Sequence, residues 1–541
     1  MSGTEIAQRS TRGSVVLFGG NFVSTAFLAV SSIIIARLLG PSSYGSYVLV
    51  LVIPQIVQLF VGLGVVFAIT HFSAYYIARG EPGVAKRFSV NSMVFLVLFG
   101  AALSLACYFG SGLFASVVLQ RPELAPLVRF VSVAVLAQTA LQASISGLVG
   151  WNSMGWASFA SILQAGLRLS IAPILVAAGF GVYGALTGFN VGYLLAGGAA
   201  GAAFYALKLR GVGEEGGTSR FVADVRAMVS YGVPAYVGGV LTGVANYYVT
   251  LLVAAIAADA VVGYFQAANN ITVAYTLALA AITLALFPAF SSLHGTGADT
   301  ALAFRHATKY VAYIMAPIIV FIAGASGLVV KILYGSAFSS ADSYLVLLAL
   351  SDIPLVIGLT VASAFFNGVG KTRLTLAVGG TGAVILFVAA PVLGSVLHLG
   401  VDGLICALLI ANSVSAAAGL YFASRYLSAT VDLRSIVAIF GASLVGYLAM
   451  LPLGSVPLPS IAAILVDALV FVFVYFTIAP VLGAIDAADV GMLGAAFGGL
   501  GVMGAILRPI LRYELLILGW LGRRGGRSQA TTPLAPESTA P

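Results

Sequence analysis

The sequence predicts an all-α polytopic membrane protein of about fourteen transmembrane helices, in two six-helix lobes plus two C-terminal helices. Three observations carry that reading. Of 541 residues, 60% are hydrophobic and only 8% charged, whereas a soluble domain is about a quarter charged. The apolar residues gather in unbroken runs, most of which reach the roughly 20 residues that a hydrocarbon core about 30 Å thick demands. With the N-terminus inside, alternate gaps between runs hold Arg9 and Arg12; Arg79, Lys86 and Arg87; Lys208, Arg210, Arg220 and Arg226; Arg305 and Lys309; Lys371 and Arg373; Arg425 and Arg434; and Arg508, Arg512, Arg523, Arg524 and Arg527. Those are 20 of the 25 basic residues, the positive-inside bias that orients a multi-span protein.

In order, the runs are 13–36, 44–70, 88–110, 126–149, 157–178, 182–206, 227–254, 262–290, 307–330, 344–369, 374–394, 399–423, 436–453 and 460–480. Each must be helical, because backbone groups in lipid can be satisfied only within the segment. Barrel strands would instead be short and alternating. The opening residues, MSGTEIAQRSTRG, are polar and lack a small-residue cleavage site, so the first span should be retained. A Gly-rich charged linker, 207–226, divides an N-terminal lobe (1–206) from a C-terminal lobe (227–423); two further spans occupy 424–480. Residues 481–527 could hide one more span at 490–507, but an odd count would move the Arg-rich end outside. An amphipathic segment on the anionic inner leaflet fits better, followed by a disordered tail, 528–541. Both termini then face the cytoplasm across a plasma membrane.

The second lobe reads as a repeat of the first. A shift of 218 residues sets Tyr44-Gly45 on Val262-Gly263, Tyr47 on Phe265, Ser73 on Ser291, Ala85 on Ala303 and Arg87 on Arg305. Six spans return the chain to its starting side, so the two lobes share an orientation, an arrangement that suits rocking about a central pathway.

Within these spans the informative residues are the polar ones. Arg168 stands about 17 Å along the fifth run at 1.5 Å per residue, near mid-depth. A charge there costs about 2.5 kcal/mol or more unless it meets a polar cavity or a partner. It is either an anion contact in a cavity or half of an interhelical ion pair. Gln164, four residues earlier, shares its face. Asn21 with Ser24 and Thr25, Gln55 with Gln58, Gln138 with Gln142, Asn246 with Thr250, and Asn269-Asn270 each place hydrogen-bonding groups on one side of a span. Interhelical bonding explains any single pair; together they predict a hydrated lining. Asp352, just before Pro354, is a candidate for a coupling cation or proton, or a structural partner of an arginine; Asp467 reads as structural. Arg37, Arg129 and Lys331 sit at outer ends, where long basic side chains snorkel, although all three could also receive a phosphate arriving at the outer leaflet. Prolines 54, 173, 234, 288, 317 and 354 are kinks within spans.

The net charge of +8 lies in the inner loops, which points to membrane lipids and not to nucleic acid. Cys107 and Cys406 lie in apolar runs as small core residues. The chain has no phosphate-binding glycine loop, no HExxH and no Cys/His ligand spacing, and its four histidines form no triad. No metal, no cofactor and no enzymatic activity are predicted.

A family pattern begins at Ala36-Arg37-Leu38-Leu39-Gly40-Pro41-Ser42-Ser43-Tyr44-Gly45. It continues through Val262-Gly263-Tyr264-Phe265-Gln266-Ala267-Ala268, Leu286-Phe287-Pro288-Ala289-Phe290-Ser291, Tyr334-Gly335-Ser336-Ala337-Phe338, Asn367-Gly368-Val369-Gly370-Lys371-Thr372-Arg373 and Gly400-Val401-Asp402-Gly403. In this order the motifs resemble those of polysaccharide transporters, the Wzx-type oligosaccharide flippases of the multidrug/oligosaccharidyl-lipid/polysaccharide (MOP) superfamily. The resemblance implies fourteen helices and two lobes about a cationic cavity. It also implies movement of a lipid-linked (polyprenyl-phosphate) oligosaccharide between leaflets, with the last two helices sheltering the lipid tail. Members often carry an acid in the seventh span, where this chain has Asn246. The alternative reading is a cation-coupled multidrug or small-molecule exporter, which would call for an acidic cavity; a non-transporting membrane scaffold is a third.

Overall fold

The computed structural model describes residues 3–213, 220–498 and 502–524. Among them every regular element is helical. Twelve helical stretches are long and apolar enough to cross a membrane, and every one of the fourteen runs read from the sequence falls on a helix. The two counts are reconciled by the turns. Val16–Leu59 and Met154–Leu209 each hold two spans, bent at Gly40 (φ 73°) and Gly179 (φ 93°). Val61–Ala78 continues the second span, and the seventh is the helix Phe221–Ile256. The loop expected between the first two spans is thus a single residue. Only glycine takes that left-handed conformation without strain, and Pro41 then starts the next helix with its φ already set.

The remaining spans are Pro82–Phe109, Val133–Gly150 (preceded by Ala125–Val131), Asp259–Gly295, Thr300–Gly324, Ala341–Gly368, Thr372–Val396, Gly400–Leu427, Leu433–Ser455 and Ser460–Val481. Two further helices, Ala487–Gly498 and Val502–Arg524, follow. The predicted tail, 528–541, and part of the predicted linker, 214–219, lie outside the described residues.

Two compact units emerge from the contacts. The first joins Met1–Asn270 with Leu333–Tyr344 and Leu386–Ala407; the second joins Ile271–Ile332, Leu345–Ile385 and Leu408–Pro541. In the first, small residues let helices approach closely: a Cβ at Gly188 would lie 2.4 Å from that of Ala172 on the fifth span, the small-residue packing that lipid-embedded helices use. In the second, Phe290, Phe304, Phe365 and Phe366 form a buried aromatic core.

Arg87 and Arg305, 218 residues apart, each hold an acid within their own unit, although the two acids, Asp224 and Asp432, are 208 apart. In the first unit Arg87 Nε binds Asp224 Oδ2 at 3.0 Å; in the second Arg305 Nη2 binds Asp432 Oδ2 at 3.1 Å. Each pair ties the start of a lobe's third span to an acid near the start of the helix that follows that lobe. The glycines Gly45 and Gly263, also related by the shift, meet inside the first unit. A Cβ on Gly45 would lie 1.8 Å from Asp259 O, and one on Gly263 would lie 2.2 Å from Pro41 O. Since Pro41 and Asp259 are themselves 218 apart, the two contacts are mirror statements of one local two-fold.

The second span is interrupted at mid-length. Gly62, Leu63 and Gly64 have φ of 81°, 44° and 84°, and Gly64 lies backbone to backbone against Gly232 of the seventh span. A left-handed leucine costs of order 1 kcal/mol or more, so the surrounding packing must enforce this bend.

Replacing Gly263 with Ala drives a methyl into a carbonyl that cannot move without shifting a helix. We expect a loss of about 1–3 kcal/mol, read as a fall of several degrees in the melting midpoint of detergent-solubilised protein. Gly19→Ala, where a Cβ would meet open space, should leave the midpoint unchanged.

Candidate functional site

Arg168 is the centre of the polar arrangement in the first unit. Counted from Met154, it lies about 21 Å along a helical run about 39 Å long, near its middle. Its Nη2 donates to Tyr47 Oη at 3.0 Å, and its guanidinium lies 5.1 Å from the Phe189 ring centroid. Nε is buried without a hydrogen-bond partner. No carboxylate among the described residues pairs with it, so the ion-pair alternative finds no counterpart here. A cation over an aromatic face is stabilised by about 0.5–2 kcal/mol, short of what full neutralisation supplies.

Gln164, one turn earlier, is 5% exposed, and its Nε2 also lacks a partner. Gly192 of the sixth span closes over this turn: its missing Cβ would lie 3.2 Å from Gln164 O and 3.6 Å from Arg168 Cβ. The glycine thus lets the sixth span press against the arginine's backbone.

Tyr47 belongs to a second network. Its ring lies 6.1 Å from that of Tyr44. Tyr44 Oη sits 2.7 Å from Ser32 Oγ and accepts from Asn270 Nδ2 at 3.0 Å. Asn270 also reaches Ser32 Oγ at 3.1 Å and accepts from Gln266 Nε2 at 2.8 Å. The first, second, fifth, sixth and eighth spans therefore bring Ser32, Tyr44, Tyr47, Arg168, Phe189, Gln266 and Asn270 together. Tyr44 and Tyr47 follow the Gly40 bend, and Gln266 and Asn270 lie in the first turns of the eighth span.

The other predicted lining residues are dispersed. Gln138 is half-buried, with Nε2 partnerless, while Asn21 and Gln142 are exposed. The side chain of Asn246 lies outside the described residues. Arg37 Nε donates to Leu333 O at 2.6 Å. Arg129 lies over the Tyr108 ring at 5.4 Å, with Ser111 Oγ 3.4 Å from its Nε. In the second unit Asp352 is half-buried at a break in its span and accepts from Tyr275 Oη at 2.8 Å, not from an arginine.

Sequence reasoning missed one group. Arg121 bridges to Asp259 Oδ1 at 2.9 Å and donates to Ala257 O at 2.7 Å, while Ser46 Oγ donates to Asp259 Oδ2 at 2.5 Å. The signal was available, because Asp259 is the repeat counterpart of Pro41, beside the Gly40 hinge. No cluster of three metal-ligating side chains occurs among the described residues.

A family model described as "Polysaccharide biosynthesis protein" matches residues 34–343, more than half of the chain. No curated protein matches by sequence. Among solved structures, the lipid II flippase MurJ in an inward closed conformation aligns with TM-score 0.70 at 15% identity, over 86% of this chain and 98% of that one. An inward-facing multidrug resistance MATE family transporter of the MOP superfamily gives 0.63 at 18%, over 75% and 94%. A MOP superfamily transporter from Pyrococcus furiosus, described as having a binding pocket of reverse polarity, gives 0.54 at 19%, over 78% and 95%. At such identities the likeness establishes the fold.

An unneutralised, half-buried charge lowers stability, so its removal discriminates between roles. If Arg168 serves a ligand, Arg168→Met should leave the thermal midpoint unchanged or raise it; a structural ion would cost several degrees on removal.

Proposed function

This chain belongs to the polysaccharide biosynthesis protein family and has the MOP superfamily fold; from that premise we propose that it is a flippase. Its substrate is a lipid-linked oligosaccharide carried on a polyprenyl phosphate, moved across the cytoplasmic membrane by alternating access for polysaccharide biosynthesis or glycosylation. Both termini face the cytoplasm in this reading, which follows the distribution of basic residues between spans.

The observation that carries the proposal is Arg168 without a carboxylate. A saccharide headgroup cannot enter hydrocarbon unaided, because its hydroxyls would be stripped of water. Its anionic linkage needs a cation at mid-depth that is not already neutralised. Among the described residues, Arg168 Nε has no hydrogen-bond partner, and the guanidinium is supported by Tyr47 and Phe189. Charge-assisted bonds from guanidinium to phosphate are the stronger class of hydrogen bond. An organic cation would find repulsion here, which weighs against the exporter reading that the MATE likeness alone would allow.

Asp352 is the candidate coupling group. It stands at a break in the tenth span, with one tyrosine donor and no basic partner among the described residues. Interrupted helices are where transporters place ion sites. No cofactor and no catalytic step enter this mechanism; the protein binds, reorients and releases.

Two tests follow. In proteoliposomes, Arg168→Ala should reduce flipping at least about tenfold, the loss of one charge-assisted bond of roughly 1.5–3 kcal/mol, and cells should accumulate lipid-linked oligosaccharide on the inner leaflet. Flipping at the parental rate would remove Arg168 from the site. Asp352→Asn should abolish the dependence of flipping on an imposed proton or sodium gradient; a variant that still responds to the gradient assigns coupling elsewhere.

A further inference from the structure

The last two helices are held to the second unit in two different ways. Ala487–Gly498 is fixed by charge. Asp489 accepts from Lys309 Nζ at 2.5 Å, from Tyr310 Oη at 3.0 Å and from the Asp486 backbone N–H at 3.0 Å, while its own N–H donates to Asp486 Oδ1 at 2.9 Å. Burial pushes the Asp489 carboxyl up, but these donors outweigh it and hold it below the usual carboxylate range. That helix is pinned as an ion pair.

Val502–Arg524 is held by a neutral device. Its Glu514 is completely buried. Tyr313 Oη donates to Glu514 Oε1, and Oε2 has no partner among the described residues. Tyr513 Oη, beside it, lies 2.9 Å from Thr477 Oγ1. The groups facing Glu514 are Tyr313 of the ninth span, whose backbone carbonyl accepts from Tyr475, and Tyr475 of the fourteenth. Lys309, one turn from Tyr313, is already committed to Asp489. On its own helix Arg512 points into the exposed face, with Leu516 and Trp520. Two helix turns therefore bury a carboxyl group with no cation bonded to it. Leaving it ionised would cost several kcal/mol.

The same helix walls an apolar cavity of about 420 Å³. Tyr313, Pro317 and Phe321 of the ninth span and Phe471 and Tyr475 of the fourteenth line it, and Ile510 and Leu511 supply the third side. Residues 306, 309, 310 and 313 lie at helical spacing on the ninth span and receive the C-terminal segment, while 317 and 321 continue the stripe into the cavity.

We propose that Val502–Arg524 is a proton-dependent strap, which closes one side of this cavity while the Glu514 carboxyl is neutral and lifts away when it ionises. Burial, the dominant influence, pushes that carboxyl from its ordinary 4.5 to about 7. A carboxyl whose value is raised in the docked state favours docking fully below the free value and loses that contribution as pH rises through the docked one. The docked population should thus fall by up to about tenfold per pH unit between about 4.5 and 7.

The test is distance measurement by electron paramagnetic resonance on the full chain in lipid nanodiscs. Spin labels go on Leu516→Cys of the strap and Leu433→Cys at the head of the thirteenth span, both exposed, with Cys107 and Cys406 replaced by Ala. We expect one distance near pH 5 and a second, growing population as pH rises towards 8. Glu514→Gln, which keeps the neutral shape, should hold the docked distance at every pH. A distribution unchanged with pH in the labelled parent, or a Gln variant with the parent's pH response, overturns the proposal. The readout is helix position and not transport, so its outcome is separate from that of the flippase assay.

Discussion

A hydrocarbon environment obliges each polar group to find its partner inside the protein, and Arg168 is where that obligation is only half met. Its guanidinium rests on a tyrosine hydroxyl and a phenylalanine face, with one donor left over. The supports are themselves positioned by the fold. Tyr47 is set by the helix that Gly40 restarts, Phe189 by a sixth span drawn close through Gly188 and Gly192. The charge is oriented without being neutralised, which is the condition for attracting an anion. An adjacent carboxylate would have made the same arginine a brace.

The internal repeat sets much of the rest. The pairs Arg87–Asp224 and Arg305–Asp432 fasten corresponding corners of the two lobes, each within its own unit. Gly45 and Gly263 let two corresponding helix starts meet through their backbones, with Arg121, Ser46 and Asp259 joined beside them. A side chain at either glycine would run into a backbone carbonyl of the facing helix and force the two helices apart. Interruptions in the second and tenth spans then provide bends within otherwise regular helices, where backbone groups are freed from the helical ladder.

Legibility varied with the range of the interaction. The spans and the choice of Arg168 follow from local pattern, since run length and a lone charge in an apolar segment need no knowledge of neighbours, whereas the bend at Gly40 stands where a loop was expected. Gln164 shares the helix face of Arg168 because spacing by four fixes it. The wider polar lining was not legible: Asn21 and Gln142 are exposed, and Arg37 and Arg129 are engaged near their own helix ends. Helical spacing says which residues share a face but not which neighbour that face meets. Asp259 and Glu514 escaped notice for the same reason. Asp259 looks like an ordinary acid at a helix start, and Glu514 like one on an amphipathic helix, until the distant partner, Arg121 or Tyr313, is in place.

What the sequence determined alone is the all-helical, multi-span class, the repeat and the identity of the buried arginine, because the bilayer imposes a length, a hydrophobicity and a charge bias on any chain that crosses it. The tertiary structure decided what those residues do to one another. That Arg168 meets a hydroxyl instead of an acid, that Asp352 meets Tyr275, and that Glu514 is sealed beside an apolar cavity depend on helices up to about two hundred residues apart coming into contact. Such partners are chosen by packing geometry, which no single helix encodes.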